Sequence, residues 1–475
     1  MMQRWLVVAL ALYAALAGGL RAAAPPPVYL PIVLGPSNLV PSTNLLVSTA
    51  TFLGGSGADA GAAVDVAPDG AVVLGGSFPS FTFPGVLTPT VVAGATSGAV
   101  LRLERGGGAI LSATRIGAEV RDLEVSAAGL IAVCGDFGVA TLPASGGTPL
   151  WSEGARPVAR CAIGPDGTVA ALAGTTVSVY SAAGQQRGSW SLGVSAASDI
   201  ALDPASGTVV VTGYKQDDGG NCAQLQITFL RGYSPSGQLA WASYDWDKSQ
   251  VGAANVCADT RGERVAIGRD GKLYFAGTIN GGTGASIFAR DPQDLGTRLD
   301  GGRNVVSDAY NNATNTGSVK MTWFGRYSPT TGALEQGSSL LTRLSSGRGN
   351  SIAPTGITAD EQGRVYLAGG TACCLPNRDR LTVGGVAVGA YASDEAYLVM
   401  LTPDLRTRLH WTPLAGPSPA SAGGSPATGI AVRNGVAAVS LTFSPSAGRG
   451  LITVRPLQPA PGGGTDAYLA VWPAR

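Results

Sequence analysis

Residues 65–77 read DVAPDGAVVLGGS: a short apolar run, then Asp69-Gly70, then a second apolar run ending in glycines. Two strand-length runs across an Asp-Gly pair predict a β-hairpin, because the tight turn needs a positive φ that glycine adopts without steric cost. The pattern returns six times, as LEVSAAGLIAVCG (123–135), CAIGPDGTVAALAG (161–174), IALDPASGTVVVTG (200–213), VAIGRDGKLYFAG (265–277), ITADEQGRVYLAGG (357–370) and IAVRNGVAAVSLT (430–442). The turn glycines are Gly70, Gly129, Gly167, Gly207, Gly271, Gly363 and Gly435. One form repeated this often marks a repeat architecture.

A second strand pair follows the hairpins after variable gaps, as in AVLRLERGGGAILSATRIG, ITFLRGYSPSGQLAWASYDW, MTWFGRYSPTTGALEQGSSLLT and AYLVMLTPDLRTRLHWTPLA. One unit is therefore a meander of four strands, A to D. A lone four-stranded sheet cannot cover both of its apolar faces, but radial packing of similar sheets can. The seventh unit closes on DAYLAVWPAR, a strand C, and a spare strand-D-like segment, NLLVSTATFLGG (44–55), precedes the first strand A. The expectation is an all-β fold, a seven-bladed β-propeller of four-stranded antiparallel blades over 44–475. The N-terminal strand 44–55 completes the last blade and closes the ring, which removes open sheet edges.

Blade one, FLGGSGADAGAAVDVAPDGAVVLGGSFPSFTFPG, resembles the SBBP (seven-bladed β-propeller) repeat of secreted bacterial proteins. That repeat runs GG…D, an I-D…G hairpin, F-P, D-A-F-V-x-K-L and a final S-T. The match is good in blade one, fair in blades four to seven, and poor in blades two and three, which lack the F-P element. The resemblance implies a propeller and an extracellular setting, and it brings no catalytic residues.

At 475 residues the chain exceeds what one hydrophobic core usually organises, and 45% hydrophobic content makes its bulk globular. It begins MMQRWLVVALALYAALAGGLRAAAPPP, with a basic Arg4, an apolar run and small residues, which together predict a secretory signal peptide over 1–24. A membrane anchor is the rival reading, but about sixteen apolar residues fall short of the roughly 20 that span a bilayer. Residues 25–43 read as a Pro-rich apolar linker. Removing 1–24 leaves 30 basic against 31 acidic side chains, and no block of Lys or Arg occurs. A nucleic-acid partner, which requires clustered cations, is therefore not expected.

The A–B and C–D turns are short, so extra length goes into B–C loops at 77–97, 214–223, 278–318, 371–395 and 443–466. B–C and D–A connections leave a propeller on the same face, so one elaborated face is expected, weak over blades two and three. Loops held by a rigid scaffold are where binding usually resides. The binding candidates are Asp217, Asp218, Asp291, Asp294, Asp300, Asn304, Asp308, Asp394 and Glu395. Oxygen donors in the 278–318 loop suit Ca²⁺, at Asp294, Asp300 and Asp308, although the spacing matches no EF-hand loop. A solvated loop without metal is the competing reading, and no other cofactor is expected.

Six cysteines in an exported chain favour disulfides. Cys222 and Cys257 fall on one expected face and are paired. Cys134 and Cys161 end and begin strands of adjacent blades, so a bridge between them is reasonable. Cys373 and Cys374 are adjacent, with a vicinal disulfide, free thiols or a metal site as alternatives. His410 is the only histidine and reads as a partly exposed outer-strand residue, a poor base for triad or metal chemistry. The leading expectation is a non-enzymatic secreted or cell-surface module that binds protein or carbohydrate through its loop face. A structural envelope component is the second reading. A glycan-active enzyme using loop carboxylates is the third.

Overall fold

All seven hairpin glycines take the left-handed conformation, with φ from +71° at Gly207 to +86° at Gly129. In the computed structural model the described residues are 41–217, 222, 225–282, 286–312, 319–389, 395–416, 425–444 and 450–474. The expected signal peptide and most of the expected linker lie outside them. Among the described residues no helix is long and apolar enough to cross a membrane.

Among the described residues, seven sheets of four or five strands carry the meanders. Sheet 1 runs A to D as Ala60–Val66, Val72–Ser77, Gly98–Leu103 and Ile110–Arg115. Sheet 2 is Val120–Val125, Ile131–Gly135, Gly138–Leu142 and Trp151–Glu153. Sheet 3 is Arg160–Ile163, Val169–Ala173, Thr176–Tyr180 and Gln186–Ser191. Sheet 4 is Ala196–Leu202, Val209–Asp217, Leu225–Tyr233 and Leu239–Ser243. Sheet 5 is Asp259–Ile267, Leu273–Asn280, Lys320–Tyr327 and Leu334–Leu340. Sheet 6 is Ile352–Ala359, Val365–Thr371, Glu395–Leu401 and Arg408–Pro413. Sheet 7 takes A to C from Ala427–Arg433, Val436–Phe443 and Asp466–Pro473, and its strand D from Thr49–Leu53. Each strand A packs on the strand A of the next sheet, and that of sheet 7 packs back on that of sheet 1. The cycle makes the fold an all-β β-propeller.

In every sheet but the third, strand A carries a register shift near its start, as between Gly61 and Ala63 or Val120 and Asp122. Such bulges re-aim side chains and bend the strand. The bend also explains the glycine that ends the hairpin motif. A Cβ on Gly76 would sit 1.9 Å from the Ala60 carbonyl oxygen, and one on Gly213 would sit 2.1 Å from that of Ala196.

Within sheet 7, Thr49–Leu53 pairs antiparallel with strand C, Thr49 opposite Val471 and Leu53 opposite Ala467. Strand D is thus shorter than the 44–55 segment expected. Asn44–Leu45 leaves the sheet and pairs in parallel with Thr382–Val383 of the sheet 6 B–C loop. Phe52 fixes the junction, 1% exposed and edge-on to Phe443 at 5.2 Å and Tyr468 at 5.5 Å. Phe52→Ala should cost about 3–5 kcal/mol, as large-to-small core changes do. A urea unfolding midpoint unchanged from wild type would refute this role for the junction.

Candidate binding face and central channel

The B–C loops and D–A links bond to each other around the ring. The Asp136 carboxylate accepts from the N–H groups of Ala118 (3.0 Å) and Glu119 (2.8 Å), and Ser97 Oγ donates to Ala118 O at 2.9 Å. Gln216 N donates to Ser195 Oγ at 2.7 Å, Lys320 N to Ser351 Oγ at 3.1 Å, and Gly464 N to Gly57 O at 2.9 Å. The two loop classes therefore share one face. The A–B and C–D turns meet on the other, where Asn434 Nδ2 donates to Pro68 O at 2.6 Å and Trp241 Nε1 to Pro329 O at 3.0 Å. Sheets 2 and 3 have two-residue B–C turns, so the long loops lie over sheets 1 and 4 to 7.

The sheet 5 loop is built as a folded layer. Its described part holds the 3₁₀ turn Ile287–Ala289, the hairpin Arg290–Asp291 with Asp294–Arg298, and Asn304–Val305 running parallel to strand D. Phe288 stacks on Trp323 with ring centres 5.7 Å apart and planes 6° apart. Between this layer and the sheet lies a cavity of about 210 Å³, lined by Phe288, Trp323, Arg298, Asn304, Asn311 and Asn312 among others.

The sequence candidates in this loop do not converge. Asp294 accepts from Gly296 N (3.0 Å) and Thr297 Oγ1 (2.6 Å), and Asp300 accepts from Gly302 N (3.0 Å) and Arg303 N (2.9 Å). Asp308 accepts from Tyr310 N at 2.7 Å and is ion-paired with Arg408. Each carboxylate stabilises its own turn or ion pair, and among the described residues the three do not gather into one cluster. Local hydrogen bonds hold both the Asp294 and Asp300 carboxyls below the ordinary carboxylate range. Asp291 pairs with Arg303, and Asn304 occupies the edge strand. Glu395 is buried and bound by Arg378, whose Nη2 lies 2.9 Å from Oε2. Asp217 ends strand B of sheet 4, while Asp218 and Asp394 lie outside the described residues.

Disulfides join Cys222 to Cys257 and Cys373 to Cys374. Cys134 and Cys161 are two buried thiols, so the bridge expected between them is absent. Their sulfurs and an Asp122 carboxylate oxygen lie within 4.8 Å of one another. Burial pushes both thiols up from their ordinary pKa. His410 is buried, not partly exposed, because the segment ahead of Asn44 covers it. Its Nδ1 lies 2.8 Å from Ser42 O, and burial lowers its pKa to about 4, with the Ser42 bond opposing.

The central channel was not among the sequence candidates. Strands A line a cavity of about 140 Å³ that includes Asp65, Asp122, Glu124, Asp199, Arg160, Arg264 and Arg269. The carboxylates reach the next sheet's inner strand. Asp65 accepts from Val125 N (2.7 Å), Asp122 from Cys161 N (3.0 Å), Glu124 from Ile163 N (3.0 Å) and Asp199 from Val265 N (2.9 Å). Guanidiniums take the opposite groups, Arg264 donating to Thr355 O at 2.5 Å and Arg433 to Val125 O at 2.7 Å. Burial pushes Glu124 up to about 8, with Asp65 adding to the rise and Arg269 opposing it. Asp122 rises to about 6, through burial against the pull of Arg160. The available signal was the acids set among apolar residues of the inner strands, as in SDIAL and DLEV.

No known protein family matches the chain, and no curated protein matches it. A solved chain from "Crystal Structure of Mitotic Checkpoint Complex" is 10% identical, with a TM-score of 0.45, over 92% of this chain and 98% of that one. Another, from "Crystal structure of RRP9 WD40 repeats", is 8% identical, with a TM-score of 0.46, over 91% of this chain and 99% of that one. Neither likeness carries an argument about function.

Two measurements check the chemistry of the channel. A folded-state pKa raised above the unfolded value contributes stability below the unfolded value, near pH 4.5, and loses it as pH rises through about 8. Glu124→Gln keeps an acceptor for Ile163 N, so its stability relative to wild type should grow by roughly 1–3 kcal/mol from pH 5 to pH 8. A constant difference across that range would remove the buried-acid assignment. Thiol titration of the denatured, unreduced chain should find two reactive groups and the native chain essentially none. A count of zero after denaturation would place a bridge between Cys134 and Cys161.

Proposed function

We propose that this chain is an exported, non-enzymatic binding scaffold that takes a protein or carbohydrate ligand on its B–C/D–A face. In this reading the seven large sheets are the blades of a seven-bladed ring, and the small sheet formed by Asn44–Leu45, Thr382–Val383 and Val386–Ala387 is an accessory to sheet 6. The observation that carries the reading is the sheet 5 loop. It is a folded layer over a cavity of about 210 Å³ with a stacked aromatic pair, a guanidinium and amide side chains at its walls. Concave sites with apolar walls and a few polar groups are the usual form of ligand pockets.

Export is supported by the signal-peptide pattern of residues 1–24, by cysteine usage and by the resemblance of blade one to repeats of secreted bacterial proteins. A non-enzymatic role is favoured because Asp291 and Glu395 are each engaged by an arginine. A general acid needs a proton free to transfer.

The test is a screen of the full chain against glycans and envelope fractions, repeated with Arg298→Glu and with residues 290–303 replaced by a Gly-Ser linker. Arg298 is exposed at the cavity wall, so its reversal should leave the melting temperature unchanged and weaken binding about tenfold or more. A ligand bound equally well by wild type and Arg298→Glu would move the site away from this loop.

A further inference from the structure

The seam where the ring closes holds two carboxylates in an unusual state. Asp59 lies in the link between Thr49–Leu53 and strand A of sheet 1, and Asp466 opens strand C of sheet 7. Both are 0% exposed. Asp59 Oδ2 accepts from Gly55 N at 2.8 Å and from Ser80 Oγ at 3.3 Å, and Asp466 Oδ2 accepts from Gly462 N at 2.5 Å. The second oxygen of each, Oδ1, is buried without a hydrogen-bond partner.

The two residues follow directly on one bridge. Ala58 bridges Thr465 in parallel, and Asp59 N donates to Thr465 O at 2.8 Å. The residues that follow this bridge therefore stand side by side, with strand axes roughly 5 Å apart. Consistent with this, the charge on Asp59 raises the pKa of Asp466, secondary to burial and against the Gly462 N–H. Arg115 feels the Asp59 charge, but its N–H groups go to the carbonyls of Phe78 (2.8 Å), Phe81 (3.0 Å) and Thr96 (3.4 Å). No guanidinium hydrogen is bonded to either acid among the described residues.

Two adjacent, dry, like-charged carboxylates with an orphan oxygen each are costly unless a cation or a proton joins them. The glycine-rich loops beside the two acids pack backbone against backbone. Ideal Cβ atoms on Gly462 and Gly463 would fall 2.6 Å from Gly55 O and 2.5 Å from Ser56 O, so the glycine-rich loops bring backbone carbonyls in close. There is no sulfur or imidazole in this set. We propose that Asp59 and Asp466 bind one Ca²⁺ ion, with neighbouring backbone carbonyls completing an all-oxygen shell. Carboxylates plus carbonyls in irregular loops suit the larger, geometrically tolerant Ca²⁺ better than Mg²⁺ or Zn²⁺. The ion would neutralise the pair and join the last sheet to the link that enters the first.

The test uses the full chain, with CaCl₂ at 1 mM against EGTA. Equilibrium dialysis should find one tightly held Ca²⁺ per chain, and the melting temperature should rise by several degrees, because a ligand that binds only the folded state stabilises it. Asp466→Asn and Asp59→Asn should each lose the bound ion and the Ca²⁺-dependent rise. In EGTA they should melt at or above wild type, because the repulsion is gone. Wild type that binds no Ca²⁺ and melts identically in both buffers would overturn the proposal. So would a Ca²⁺-dependent rise that persists in both Asn variants, since it places the ion elsewhere. A Ca²⁺-insensitive melting temperature that falls from pH 5 to pH 8 in wild type but not in Asp466→Asn would replace the ion with a shared proton.

Discussion

The innermost strand of each sheet is an edge, and its outward N–H and C=O groups have no further strand to pair with. Left dry and unpaired, each of those groups would cost about 1–3 kcal/mol. The protein resolves this with charged side chains sent between sheets across the channel. Asp65, Asp122, Glu124 and Asp199 cover N–H groups of the following sheet, while Arg264 and Arg433 cover carbonyls. Strand-A bulges turn Asp122, Asp199 and Arg264 toward the channel, so the kinks and the charges act together.

The same constraint limits what the channel can do. Its acids and guanidiniums are already bonded to backbone or to each other, as Asp65 is to Arg269 at 3.0 Å. The cavity is small, about 140 Å³, and reads as the fastening of the ring. Elaboration is then left to the loops, whose anchor points are fixed by the fastened sheets but whose chains are free to lengthen. The loop over sheet 5 uses that freedom, adding strands and a 3₁₀ turn above the stacked Phe288 and Trp323.

Much of the architecture was legible because it rests on local chemistry. A turn glycine at Gly70 or Gly435 announces its own φ, and apolar runs around it announce strands. The loops were legible as a group, since length left over after the strands are counted must emerge somewhere. Individual site residues were not. Asp294, Asp300 and Asp308 looked like one oxygen cage because they are close in sequence, yet each satisfies a turn or an ion pair of its own. Glu395 looked like a free loop acid and is the buried partner of Arg378. His410 looked exposed because nothing in its own strand shows that Ser42, 368 residues away, will cover it.

By itself, the sequence determined the hairpins, the four-strand unit, the need for a ring and the placement of length in one class of loop. All of these follow from backbone conformational preference and from apolar periodicity, which act over a few residues. Only the tertiary structure decided which charges meet in the channel, that Cys134 and Cys161 face each other as thiols, and that Asp59 and Asp466 share one buried seam. Those pairings join residues from different parts of the ring, 407 positions apart in the last case. Their energies depend on burial and on the distance between charges, which exist only once the ring has closed.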